Sequence, residues 1–191
     1  GQNEKVPFKT KDNVDHPISL YAATKKSNEL MAHTYGHLYG FKTTGLRFFT
    51  VYGPWGRPDM AYYLFAEAIS KNEAIKVFNN GKMERDFTFI DDVVSGITNM
   101  IEKNIDSREH YKIYNIGNNR TESLNDFITI IEKAMGKKAI KEMYPIQQGD
   151  VLRTFADIDE SIADISYKPC TSINKGLKEF IIWYKKYKNK Y

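Results

Sequence analysis

Cysteine is almost missing from this chain. Cys170 stands alone among 191 residues, which excludes a disulfide framework and a cysteine-built zinc site. Long apolar runs are missing too. The longest, Phe180-Ile181-Ile182-Trp183-Tyr184, falls far short of the roughly 20 residues that cross a bilayer. The first twenty residues carry charge throughout and hold no apolar stretch, so they do not read as a secretory signal. A reducing, cytoplasmic setting without a membrane partner is the expectation. There is no internal repeat and no low-complexity tract. Charge of one sign is only slightly in excess, with 28 Lys plus Arg against 24 Asp plus Glu. That balance suits an anionic small molecule, and the scattered lysines do not suggest nucleic acid. The one local excess, Lys185 to Lys190, reads as a solvated helix face. His33 and His37 lie four apart but lack the intervening Glu of a zinc-protease helix, so no metal site is expected.

What is present suits a packed core. The chain is 41% hydrophobic and 14% aromatic, enough for one ordinary domain or two small interlocked ones. Residues 1–18 are polar and read as a loop. Ser19 is placed to cap a helix from Leu20 to about Tyr39, which Gly40 stops. Thr43 to Val51 reads as a buried strand with Arg47 in its interior. After the rigid loop Gly53-Pro54-Trp55-Gly56-Arg57-Pro58, the pattern gives a helix at 61–71 and a strand at 74–78. An extended stretch follows at 85–90, then a helix capped by Asp91 and running to about Lys103. A strand is expected at 111–116 and a helix at 123–135 with Ser123 and Asp126 as a weak capping box. Beyond these come a strand at 138–144, a helical turn at 161–165 and a final helix at 173–188. Strands alternating with helices argue for an α/β fold with a mostly parallel sheet.

One spacing carries chemistry. Tyr21 and Lys25 lie four positions apart near a helix start, so both side chains share one face. An ammonium beside a phenol favours the phenolate, and the helix N-terminus acts in the same direction. Such a tyrosine can serve as general base toward a sugar or alcohol hydroxyl, and the lysine can hydrogen-bond a ribose. Among thirteen tyrosines such a pair also arises by chance, so its neighbours matter.

Those neighbours are informative. Tyr21-Ala22-Ala23-Thr24-Lys25-Lys26-Ser27-Asn28-Glu29 is followed by Leu46-Arg47-Phe48-Phe49-Thr50-Val51-Tyr52-Gly53-Pro54-Trp55-Gly56-Arg57-Pro58-Asp59-Met60. Next come Arg85-Asp86-Phe87-Thr88-Phe89-Ile90-Asp91-Asp92 and Gly149-Asp150-Val151. In this order the segments resemble the extended short-chain dehydrogenase/reductase superfamily, and within it the nucleotide-sugar epimerases of the UDP-glucuronate 4-epimerase type. The resemblance implies the C-terminal part of a Rossmann-like doubly wound parallel sheet plus a smaller α/β substrate-binding domain. It implies NAD as cofactor, a UDP-sugar as substrate, and a homodimer formed through the Tyr21 helix.

The resemblance also implies roles. Tyr21 takes the proton of the sugar 4-hydroxyl, and Lys25 supports the phenolate and holds the nicotinamide ribose. Phe48 lies beside the nicotinamide, with Phe49 either there or in simple packing. Thr50 is the candidate grip on the uronate carboxylate. Arg57 and Arg85 address the diphosphate and nearby sugar oxygens, Phe78 the uracil, and Asp150 the uridine ribose. Gln147 stands where relatives carry a basic contact.

One family feature is missing. No glycine-rich phosphate loop occurs, so the chain reads as the C-terminal part of a longer enzyme and inactive alone. Residues 1–52 would complete the NAD-binding domain and 53–191 form the sugar-nucleotide domain, with 91–117 returning to the first. The rivals that share this fold are a UDP-glucuronate decarboxylase and a sugar 4,6-dehydratase. A binding fragment without turnover is the rival of another class.

Overall fold

A computed structural model describes residues 3, 5–103, 110–147 and 149–189. Helix α1 (Leu20–Tyr39) opens on Ser19, whose Oγ accepts the Ala22 N–H at 3.1 Å. It closes on Gly40, which takes the left-handed φ of 71° that glycine adopts without steric cost. Strand β1 (Thr43–Phe48) then runs back along the helix. The expected single strand 43–51 is broken at Phe49 and is half-buried rather than buried. Its continuation, β2 (Thr50–Tyr52), changes partner, and the ladder is interrupted where the change occurs.

The remaining elements follow the expected order. They are α2 (Ala61–Lys71), β3 (Ala74–Phe78), β4 (Glu84–Arg85), β5 (Phe87–Phe89) and α3 (Ile90–Glu102), then β6 (Tyr111–Ile116), β7 (Glu122–Ser123), α4 (Leu124–Met135), β8 (Ile140–Tyr144), α5 (Asp159–Ile165) and α6 (Ile173–Lys188). Strands β1–β6, β2–β5 and β3–β8 pair in parallel, while β4–β7 is antiparallel. The architecture is α/β with parallel pairing, as the alternation of elements predicts.

Asp91 does not cap α3. That helix begins one residue earlier, behind Phe89, with no side-chain cap. The buried carboxylate of the pair is Asp92, which accepts the N–H groups of Cys170 at 3.2 Å and Thr171 at 3.0 Å. It therefore pins the segment leading into α6. At α4, Ser123 Oγ does cap, accepting the Asp126 N–H at 3.1 Å, but Asp126 takes the Ser123 hydroxyl proton rather than a backbone N–H.

Two apolar clusters result. The larger joins Tyr52, α2, β3, β5, α4 and α6. Its centre is aromatic: Phe87 stacks on Phe127 at 4.2 Å, and Tyr62 meets Phe180 edge-on at 4.8 Å. Each fully buried ring contributes roughly 2–3 kcal/mol of transfer free energy. On α6 the buried residues Ile173, Leu177, Phe180, Ile181 and Tyr184 recur at helical spacing. Its terminal lysines tie helix ends together: Lys185 donates to the Ala134 carbonyl at 3.0 Å and Lys188 reaches Glu67 at 3.2 Å. The smaller cluster joins Val93, Tyr114, Ile116, Ala156, Ile158, Ile165 and Tyr167, with Leu46, Phe49 and Val51 against it. Among the described residues no helix is long and apolar enough to cross a membrane.

The smaller cluster is fastened at its edge by Asp164. This carboxylate accepts from Lys112 Nζ and, at 2.9 Å, from the Tyr114 hydroxyl. The Lys112 bond holds the Asp164 carboxyl below its ordinary value, while burial and the Asp164 hydrogen bond push Tyr114 up to about 12. A depressed carboxylate stabilises the fold fully above its unfolded pKa and loses that contribution as pH falls through the lower folded value. Asp164→Asn is therefore expected to lower stability at neutral pH. The gap to wild type should close on acidification below the ordinary 3.8. Urea unfolding of both chains across that range checks it, and a gap independent of pH contradicts it.

Candidate active site

The geometry of the Tyr21–Lys25 pair follows from how α1 packs. From Glu29 to the helix end the chain descends roughly 15 Å, and from Thr43 to Arg47 the strand returns roughly 13 Å. Glu29 and Arg47 thus come level, and they are joined by two hydrogen bonds of 2.7 and 2.9 Å. The first turn of α1, a further roughly 12 Å along the helix, therefore stands past the carboxyl end of β1. Ligands of parallel α/β sheets bind at that end. There Tyr21 is 72% exposed, and Lys25 Nζ lies 5.7 Å from the centroid of its ring. The two side chains share one face, as their spacing predicts. Phe48, the last residue of β1, is 48% exposed at the same end.

Thr50 opens β2 half-buried, and its N–H donates to the Asp86 carbonyl at 3.1 Å. Among the described residues nothing takes up its hydroxyl, so that group does not serve its own backbone. Arg57 stands on an exposed loop, with Nη2 3.2 Å from Asp59 and 3.6 Å from the sulfur of Met60. The loop is held in an unusual form. Trp55 has a φ of 62°, rare for a bulky residue, and packs against Trp183 at 5.3 Å and Tyr187 at 5.9 Å. Gly56 is required because a side chain there would run into the Tyr62 hydroxyl.

Arg85 and Asp150, assigned to different parts of the substrate, meet directly. Arg85 Nη2 donates to Asp150 Oδ1 at 2.6 Å, while Nη1 donates to the carbonyls of Glu84 and Leu152 at 2.9 and 3.3 Å. The arginine side chain is only 18% exposed, so its fork is fixed in direction. Asp150 uses the same Oδ1 for the Val151 N–H, which leaves Oδ2 without a partner among the described residues. Phe78 ends β3 with its ring 5.6 Å from that of Tyr144. Gln147 is exposed, and its carbonyl accepts the Asp150 N–H at 3.2 Å. The structure thus joins Tyr21 with Lys25, Arg85 with Asp150, and Phe78 with Tyr144. Among the described residues, Thr50 and Arg57 bond to none of these pairs.

The residue that sequence reasoning missed is Asp86. It is fully buried, and its carboxylate accepts the N–H groups of Asn118 at 2.6 Å and Ala156 at 3.0 Å, with the Thr88 hydroxyl at 3.3 Å. Its own N–H donates to Thr154 Oγ1 at 3.0 Å. Burial pushes its carboxyl pKa up against those bonds. One residue thereby ties the strand carrying Thr50, the loop after β6 and the segment beyond Asp150. A signal was present: a charged residue inside Arg85-Asp86-Phe87-Thr88-Phe89, flanked by inward aromatics, must find donors.

Known proteins resemble this chain in sequence and in fold. The model of the NAD dependent epimerase/dehydratase family matches residues 1–117. Protein CapI of Staphylococcus aureus is 50% identical, over all of this chain and 61% of that protein. The probable UDP-glucuronate 4-epimerase of Rhizobium meliloti is 46% identical, over 96% of this chain and 58% of that protein. The solved UDP-glucuronic acid 4-epimerase of Bacillus cereus, in complex with UDP-glucuronic acid and NAD, superposes with a TM-score of 0.88 at 32% identity. That match covers 97% of this chain and 58% of that one. The chain therefore spans about three fifths of the length of these relatives.

Asp86→Ala leaves its backbone donors buried and unpaired, each costing about 1–3 kcal/mol. The expected loss of unfolding free energy is about 3 kcal/mol or more, read by urea denaturation. A loss below about 1 kcal/mol would remove Asp86 from this role.

Proposed function

The chain belongs to the NAD-dependent epimerase/dehydratase family, and from that premise we propose that it is the C-terminal part of an enzyme that inverts C4 of a UDP-uronic acid. UDP-glucuronate and UDP-galacturonate would interconvert through a 4-keto sugar, in the service of surface polysaccharide synthesis in the cytoplasm. The observation that carries the reading is the phenol of Tyr21 and the ammonium of Lys25 on one open helix face past the carboxyl end of β1. The relatives named for this reaction, and the neighbour solved with its substrate and NAD, support the substrate class.

The residues present suit one end of NAD. A phenol, an ammonium and the aromatic face of Phe48 offer what a nicotinamide ribose needs. No Gly-x-Gly-x-x-Gly occurs among the 191 residues to cradle the pyrophosphate. When bound, NAD supplies hydride removal and return at the sugar carbon. In this reading Tyr21 accepts the 4-hydroxyl proton and gives it back, and Lys25 stabilises the phenolate and donates to the ribose. Arg85, held by Asp150, presents its remaining N–H groups to the diphosphate. Arg57 adds a second guanidinium from the loop, Phe78 stands by the uracil, and Asp150 Oδ2 accepts from the uridine ribose.

A uronate imposes a further demand. Its 4-keto form is a β-keto acid, which loses carbon dioxide once the carboxylate lines up with the carbonyl π system. The hydroxyl of Thr50, without a partner among the described residues, is the group proposed to hold the carboxylate out of that alignment. Residues 1–52 and 91–117 are assigned to the cofactor side and the rest to the sugar nucleotide, although the smaller apolar cluster joins Val93, Tyr114 and Ile116 to Ala156, Ile158, Ile165 and Tyr167 from outside those ranges. The outer face of α1 exposes Leu30, Met31, Tyr35, Leu38 and Tyr39. This supports a homodimer through that helix, to be checked by sedimentation of the whole enzyme.

Tyr21→Phe in the whole enzyme is expected to lower kcat by about 10²- to 10⁴-fold, the usual size of general acid–base help. Unchanged turnover would take Tyr21 out of the mechanism. Release of carbon dioxide with a UDP-pentose product would make the enzyme a decarboxylase instead. The isolated 191 residues, supplied with NAD and UDP-glucuronate, are expected to show no turnover, and measurable epimerisation by them would refute the part played by the missing phosphate loop.

A further inference from the structure

Tyr21, Lys25 and Glu29 follow one another at intervals of four, so they form a single stripe along α1. A glutamate four positions from a lysine is its ordinary ion-pair partner on a helix. An ion pair of that kind would draw Lys25 away from Tyr21 and set a negative charge against the phenolate. The structure shows a different arrangement. Arg47 takes both oxygens of Glu29, with Nε 2.7 Å from Oε1 and Nη2 2.9 Å from Oε2. Lys26 adds a weaker contact at 3.9 Å. Lys25 is left with its ammonium over the Tyr21 ring, and among the described residues no carboxylate lies within ion-pair reach of it.

The Arg47 fork is itself held. Its Nη1 donates to the Thr10 carbonyl at 3.2 Å, and the Arg47 and Glu29 side chains are 23% and 19% exposed. The hydrogen bonds it donates to Glu29 keep the guanidinium firmly charged against the cost of its burial. The other charged groups nearby are spoken for or distant: Asp15 faces Lys26 at 3.1 Å, and Asp12 accepts the Lys9 N–H at 2.8 Å. A strand arginine in an otherwise apolar run therefore has a reason to be there.

We infer that Arg47 is a positioning residue for the Tyr21–Lys25 pair, acting by holding the Glu29 carboxylate away from Lys25. The inference rests on the epimerase reading and adds to it a residue that touches neither substrate nor cofactor. Its effect falls on the charge balance at Tyr21, so it concerns turnover rather than substrate affinity.

The test uses the whole enzyme. Arg47→Met is expected to lower kcat by about fivefold or more, the scale of coupling between neighbouring charged groups, with KM for UDP-glucuronate changed less than twofold. Glu29→Gln alone keeps kcat near wild type, and the double variant Arg47→Met/Glu29→Gln recovers it, because no carboxylate then competes for Lys25. A crystal structure of Arg47→Met is expected to show Lys25 Nζ moved to within about 4 Å of Glu29. Should the methionine variant not fold, Arg47→Lys decides. It keeps a cation on Glu29 and is expected to retain kcat, whereas a fivefold or greater loss there overturns the inference. So does wild-type kcat in Arg47→Met, a loss that persists in the double variant, or a Lys25 that stays over Tyr21. The epimerase reading fails separately, if Tyr21→Phe leaves turnover intact.

Discussion

A buried carboxylate ties together the segments that carry the proposed substrate contacts. Asp86 lies fully buried between β4 and β5, where an ionised group survives only by collecting donors. It collects backbone N–H groups from Asn118 and Ala156, residues far apart in sequence. The carbonyl of the same residue receives Thr50, and its chain neighbour Arg85 holds Asp150. The candidate groups for carboxylate, diphosphate and ribose thus hang on segments that meet at one residue. Asp92 does similar work in the next element, holding Cys170 and Thr171 so that α6 enters the larger core at the right height.

Around the proposed base the control is electrostatic. Helix α1 buries only Gly36 among its twenty residues. The two-pronged bond between Glu29 and Arg47, with Arg47 also on the Thr10 carbonyl, occupies a carboxylate that stands one helical turn from Lys25. The two groups of residues adjoin in sequence where β1 ends and β2 begins. Phe48 still belongs to the ladder with β6, whereas Thr50 already belongs to the ladder with β5. The exchange of partner at Phe49 puts the proposed nicotinamide contact, Phe48, and the proposed carboxylate contact, Thr50, two positions apart on different ladders.

Much of this was legible in the sequence. The ends of α1 were marked by Ser19 and Gly40, and the start of α4 by Ser123, because caps are local chemistry. The Tyr21–Lys25 face was legible for the same reason, since four residues of helix fix it. What stayed hidden depends on distant partners. Nothing near Phe49 announces that one strand will divide between two neighbours. Asp91 looked like a cap because it precedes a helical run, yet the helix starts on the apolar Ile90 and the carboxylate that collects backbone N–H groups is Asp92, whose partners lie some eighty residues on. Arg85 and Asp150 were read as separate contacts, and only the folded chain shows them to be one ion pair.

In the proposed reaction these residues handle the proton and hold the substrate, while the hydrogen on sugar C4 leaves and comes back to the same molecule. That is tested most directly with UDP-glucuronate carrying deuterium at C4, given to the whole enzyme with NAD in ordinary water. The expected product is UDP-galacturonate with the deuterium still on the inverted C4 and no solvent hydrogen in its place. Product that has exchanged its C4 label for solvent hydrogen, or that has lost its carboxyl group, would contradict it.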